Sequence, residues 1–208
     1  MLLAIVSIFF AGLFLVILIL LHSLKRELDP AWRMISEYEI GRFGWMMRLA
    51  FFCWGASLLT LLVALWPSLG SVSGTLARGW LILIVAALFG AGIFKTDPIT
   101  EITNSLVNTL HSICGAVVIL TFPIAASLCV HSLLQNAAWL PAQAQLIGVT
   151  VLVWLGMLAM FASIIISRAI DPSAGRAGPK VYQGWPNRFL VVAYTVWLIT
   201  IAGNMLRF

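Results

Sequence analysis

Long uncharged stretches recur along the chain, separated by charged or Pro/Gly-rich breaks. Residues 1–21 carry no charge and run into His22, Lys25 and Arg26. Arg48 and Arg78 enclose a second uncharged run, which predicts a helix over residues 45–66 before the break at Pro67, Gly70 and Gly74. A third helix is predicted over 76–94, long enough to cross a bilayer if Arg78 snorkels. Residues 102–167 carry no charge beyond what His111 and His131 gain on protonation. Pro141, with Gln135, Asn136, Gln143 and Gln145, divides that stretch into helices over 106–133 and 146–167. A sixth helix covers 187–206. A hydrocarbon core of about 30 Å needs about 20 apolar residues per helix, so the pattern predicts six membrane spans. The first segment lacks a basic leader and a small-residue cleavage site, and reads as a retained span.

Composition agrees: 62% of the 208 residues are hydrophobic and 9% charged, with mean hydropathy +1.06. Soluble domains carry about a quarter charged residues, so a soluble globule and a disordered chain are excluded. A net charge of +5 spread over such a chain makes no basic patch, and nucleic acid is excluded as a partner. The expected fold is all-α: one domain over residues 1–208, an integral membrane bundle of six transmembrane helices with short interfacial helices on the cytoplasmic side. Trp54, Trp154 and Trp197 fall in mid-span, to face lipid or to pack.

Charge placement predicts the orientation. Lys25, Arg26, Arg33, Arg42, Arg48, Lys95, Arg168, Arg176, Lys180 and Arg188 belong to the loops after helices one, three and five, leaving only Arg78 and Arg207 on the other side. The positive-inside rule makes those three loops cytoplasmic and places both termini outside, in a multi-pass protein of the inner (plasma) membrane. All seven acids (Glu27, Asp29, Glu37, Glu39, Asp97, Glu101 and Asp171) fall in the same loops, although acids take no part in that rule. Any polar site is therefore expected in this cap, made of residues 23–44, 95–109 and 168–187.

Each of the three Asp residues is followed by Pro: Asp29-Pro30, Asp97-Pro98 and Asp171-Pro172. Asp caps a helix by accepting backbone N–H bonds, and Pro suits the first helical position. The device predicts a turn and then an interfacial helix, and reads either as a stop-and-turn signal or as three related hairpins. After Asp29 a helix is expected over 30–40, ending at Gly41. After Asp97, Glu101, Asn104, Asn108 and His111 make a polar stripe opposite Ile99, Ile102, Leu106 and Leu110. That stripe is either a water-facing surface or the wall of a cytoplasmic cavity with His111 deepest. Residues 172–179 are too rich in Gly and Pro for a helix and predict a mobile loop.

Several of these elements are familiar together. Leu21-His22, Glu27-Leu28-Asp29-Pro30, Ser36-Glu37-Tyr38-Glu39-Ile40-Gly41 and Phe43-Gly44-Trp45 are joined by Gly92-Ile93-Phe94-Lys95-Thr96-Asp97-Pro98, Leu110-His111 and Gly184-Trp185-Pro186-Asn187-Arg188. Over roughly residues 20–190 the chain resembles the membrane-protein family known only as domain of unknown function 998. Lys95 departs from the Pro expected at its place in that pattern. The resemblance implies a multi-span bacterial or archaeal membrane protein and carries no established activity.

Four chemistries remain open. His22 and His111 sit at the cytoplasmic edge and are the one pair able to act as axial haem ligands, or as weak metal candidates. His131 lies 20 residues beyond His111, about 30 Å along a helix, and cannot join them. With Asp97 and Glu37 these histidines show no tight metal-ligand spacing, so no cofactor and no metal are predicted. A lipid-directed hydrolase or transferase would use Ser36 as nucleophile, Glu37 and Asp97 as carboxylates and His111 as base; whether the chain is an enzyme is left open. Transport usually keeps ionisable groups deep in the spans, where this chain has none. The leading expectation is a non-catalytic accessory or binding subunit. Its cap would engage lipid headgroups or a larger membrane-protein complex through Arg33, Glu37, Glu39, Arg42, Asp97, Asn108, His111 and Arg188. The same acids could instead pair with Arg33, Arg42 and Arg188 simply to fasten the loops together.

Overall fold

In the computed structural model, residues 1–100, 105–174 and 178–207 are described. Six long helices account for most of them: α1 (Leu2–Leu24), α2 (Gly44–Leu65), α3 (Val72–Ile93), α4 (Leu106–Leu133), α5 (Gln143–Ile170) and α6 (Gly184–Met205). There is no strand among the described residues, and all six helices are long and apolar enough to cross a membrane. The protein is a multi-pass membrane protein of all-α architecture.

Consecutive helices pack side by side, and α6 returns to α1 to close the ring. The loops α1–α2, α3–α4 and α5–α6 lie at one end, called here the charged end. The spans differ widely in how far they are buried. The α6 span is the least hydropathic, at 1.4, and 61% of it is buried; the α5 span scores 2.5 and only 22% is buried. Lipid is as apolar as any core, so outward faces need no polar residues while inward faces carry the interhelical hydrogen bonds.

Those bonds are specific. Trp197 Nε1 donates to Thr150 Oγ1 at 3.1 Å and Trp154 Nε1 to Ser127 Oγ at 2.9 Å, joining α6 to α5 and α5 to α4. Tyr194 donates to the Ile119 carbonyl at 2.8 Å while its ring stacks on Phe122 at 4.3 Å. Trp54 and Trp197 are buried and packed; Trp54 stacks on Phe14 at 4.7 Å. Between α3 and α4 the approach is close enough that a Cβ on Gly90 would meet Cys114 Sγ at 2.6 Å.

Several expectations are corrected at the helix ends. α3 begins at Val72 rather than Leu76, because Ser71 Oγ accepts the Gly74 N–H at 3.1 Å and caps it. Residues 30–40 do not form a helix; only Ile35–Glu39 winds, as a 3-10 turn. Asp29 Oδ1 takes the Ala31 N–H at 2.9 Å in a local turn, Met34 is extended, and the Ile35 N–H donates to Asn187 Oδ1 of α6 at 3.1 Å. A tertiary partner has taken the group a helix would have used. Asp97 likewise starts no helix at once: its Oδ2 accepts the Ser105 N–H at 2.9 Å, and Ser105 caps α4. After Asp171 there is a single 3-10 turn, Pro172–Ala174, where a loop without helix was expected; the rest of that Gly/Pro run includes residues 175–177, outside the described residues. Glu101 and Asn104 of the polar stripe also lie outside them.

Candidate functional site

A cavity of about 750 Å³ lies inside the bundle and is roofed at the charged end by two loops. Its roof comes from Ser36 and Glu37 of the α1–α2 loop and from Asp97 and Pro98 of the α3–α4 loop. All helices except α1 contribute wall: Trp54, Ala91, Gly115, Phe161 and Leu190 are examples from α2 to α6. Along α4 the lining changes character, from Asn108, His111 and Ser112 to Gly115, Ala116, Val118 and Leu120. Twelve residues at 1.5 Å each make that passage from polar to apolar about 18 Å deep. α4 touches α5 less than any other consecutive pair touches. Leu120 and Phe161, one on each helix, line the cavity and are themselves 48% and 36% exposed.

Long-range hydrogen bonds hold the roof. Glu37 is 2% exposed; its Oε1 accepts from Arg33 Nη1 at 2.5 Å and from the Ile99 N–H at 2.9 Å, joining the two loops. Its other oxygen, Oε2, is buried and has no partner among the described residues. Asn108 Oδ1 accepts the Asp97 N–H at 3.0 Å and the Thr96 hydroxyl at 3.1 Å. Hydrogen bonds from Ser105 hold the Asp97 carboxyl below its ordinary range. One layer back, Glu39 Oε2 accepts the Thr96 N–H at 3.0 Å and lies 3.7 Å from His111 Nδ1. Burial pushes the Glu39 carboxyl up to about 7, against the opposing pull of the Thr96 bond and of Arg48 and Lys95. His111 Nδ1 meets the Phe94 carbonyl at 2.7 Å, so that nitrogen carries the ring proton.

The α1–α2 loop is in turn fixed to α6. Arg188 donates to the carbonyls of Arg33 (2.8 Å) and Gly184 (2.9 Å) and to Tyr38 Oη (2.8 Å). Gly184 N–H donates to the Ala31 carbonyl at 3.0 Å, and a Cβ at residue 184 would collide with the backbone of Pro30. Lys25, 3% exposed, donates to the carbonyls of Tyr38 and Ile40; burial lowers its pKa while Glu27 opposes that shift.

The structure thus gathers Ser36, Glu37, Asp97, Asn108 and His111 in one cavity wall. Arg33 and Glu39 stand behind it. Arg33 forms the expected ion pair with Glu37, whereas Arg188 serves backbone carbonyls and Arg42 lies over the Phe43 ring at 4.7 Å. His22 is exposed and outside the cavity wall, with its Nδ1 3.0 Å from Tyr38 Oη and its ring 5.7 Å from that of Trp185. His111 Nδ1 is committed to Phe94 rather than to Ser36. Sequence reasoning missed Thr96, Asn187 and Trp54. Thr96 and Asn187 do occur within the Phe94–Pro98 and Gly184–Arg188 blocks that carry the family resemblance. Trp54, whose buried Nε1 has no partner among the described residues, carries no sequence signal beyond being a mid-span aromatic.

No curated protein and no solved structure matches the chain. The family profile described as protein of unknown function (DUF998) matches residues 8–204, nearly the whole chain, and the chain belongs to that family.

Proposed function

We propose that the protein is a non-catalytic binding or accessory subunit that holds a single membrane amphiphile in this cavity. The observation that carries the reading is the continuity of the cavity from the polar roof to an apolar interior, walled on α4 and α5 by the partly exposed Leu120 and Phe161. Its volume falls within the range of small-molecule sites, roughly 300–1,000 Å³. A fully polar solute would leave the walls around Val118 and Leu190 unfilled, and a pure hydrocarbon would leave buried polar groups without partners. A lipid answers both requirements. The cap engages the headgroup, and the positive-inside bias puts that end in the cytoplasm of the plasma membrane, with both termini outside.

The test is lipid retention through purification in mild detergent, read by native mass spectrometry. Wild type should carry a bound lipid. Gly115→Trp, placed where no atom lies within 4 Å of an added Cβ, should lose it without losing thermal stability. Equal lipid content in the two proteins would refute the reading. Cysteines placed at Ser36 and Ser173 and labelled only from outside the cell would refute the orientation.

A lipid-directed hydrolase or transferase is the second reading, because Ser36, Glu37, Asp97 and His111 line the same cavity. Under it, Asp97→Ala and His111→Ala abolish turnover of the bound lipid. Under the binding reading both variants retain it unchanged in chemistry.

A further inference from the structure

We propose that the amphiphile carries a protonated amine at its polar end, an inference that rests on the lipid-binding reading above. Glu37 is a carboxylate in the cavity wall, 2% exposed, with one oxygen saturated and the other, Oε2, buried without a partner among the described residues. A buried carboxylate oxygen without a donor is costly, and a ligand that brings the donor recovers that cost. A second carboxylate, Asp97, lines the same roof and is kept ionised by its bonds from Ser105. No lysine or arginine lines the cavity among the described residues, and Arg33 is already engaged with Glu37. Among the described residues no donor reaches Glu37 Oε2, and the lining itself contributes two carboxylates and no cation.

Three headgroup chemistries separate on this ground. A phosphate brings more negative charge against two carboxylates. A hydroxyl supplies a donor to Oε2 but brings no positive charge to a wall that holds two carboxylates and only one paired arginine behind it. An ammonium supplies both, and charge-assisted hydrogen bonds are about twice as strong as neutral ones.

The experiment uses the full chain in neutral detergent at pH 7, with three probes of one chain length: dodecylamine, dodecanol and dodecyl phosphate. Binding is read by native mass spectrometry and by tryptophan fluorescence. Dodecylamine should bind about tenfold or more tightly than dodecanol, and dodecyl phosphate most weakly. Glu37→Gln should bring dodecylamine down to the level of dodecanol. The wild-type ranking decides the matter even if that variant fails to fold. Equal binding of amine and alcohol, or preference for the phosphate, overturns the amine assignment; the cavity reading then survives provided Gly115→Trp abolishes binding of all three. If none of the probes binds wild type, or Gly115→Trp binds them as wild type does, the lipid-binding reading itself falls, and the amine assignment with it.

Discussion

α4 has two unlike flanks. Against α3 it lies close: Cys114 packs into the space left by Gly90, Ser132 meets Ser71 at 2.7 Å near one end, and His111 meets the Phe94 carbonyl at 2.7 Å near the other. Against α5 the small residues Ser112, Gly115 and Ala116 face a cavity, and the bond from Trp154 to Ser127 ties the two helices well down their length. Small residues are present on both flanks. Where hydrogen bonds fasten both ends of the pair, they permit close packing; where the ends are free to part, they leave volume. Small size is permissive, and the fastening decides the outcome.

The sharpest way to break the contrast is to insert the same bulk on each flank. Gly90→Leu drives a Cβ against Cys114 and should cost about 3 kcal/mol, the upper part of the usual overpacking range, measured as a loss of thermal stability in detergent. Less disruptive is a change of pH at the charged end of the α3–α4 seam. The folded-state pKa of Glu39 stands at about 7 against an ordinary 4.5, so the folded state holds the proton more tightly. Stability should fall as pH rises from about 4.5 to 7, by on the order of 3 kcal/mol, and level off above that. Glu39→Gln keeps an acceptor for Thr96 and should flatten that part of the profile; an unchanged slope would assign it to another group. At the opposite end, Ser71→Ala removes both the α3 cap and the bond to Ser132, and should lower stability by about 1 kcal/mol. Gly115→Leu meets open space on the α5 flank and should shift stability by less than about 0.5 kcal/mol. If it were as damaging as Gly90→Leu, the two flanks would not differ in packing as described.

The roof of the cavity shows where a sequence stops being legible. The run around Ser36–Ile40 is recognisable, and Asp29 announces a turn. Yet whether that run becomes a helix depends on Ile35 finding Asn187, 152 residues away. Local propensity treats the N–H of Ile35 as available to a helix, whereas α6 has already claimed it. Arg188 shows the same limit: its charge suggested an acidic partner, and the fold directs it to the carbonyls of Arg33 and Gly184. Glu37 is the opposite case. Its pairing with Arg33 is four residues distant in sequence and could be anticipated, but the unsatisfied Oε2 emerges only once two loops close over it.

The sequence by itself determined the six spans and the gathering of loop charge at one end. A bilayer demands about 20 apolar residues for each crossing and expels charge to its surfaces, and both demands act on composition alone. Tertiary structure decided which apolar faces meet protein and which meet lipid. Mean hydropathy does not settle that distinction, because hydrocarbon and protein core are equally apolar: the α1 span, at 3.1, is more buried than the α5 span, at 2.5. The cavity is likewise a tertiary product. It exists because α4 is fastened to α3 along its length and to α5 only in part, and such a difference between flanks is a property of the packed ring of helices.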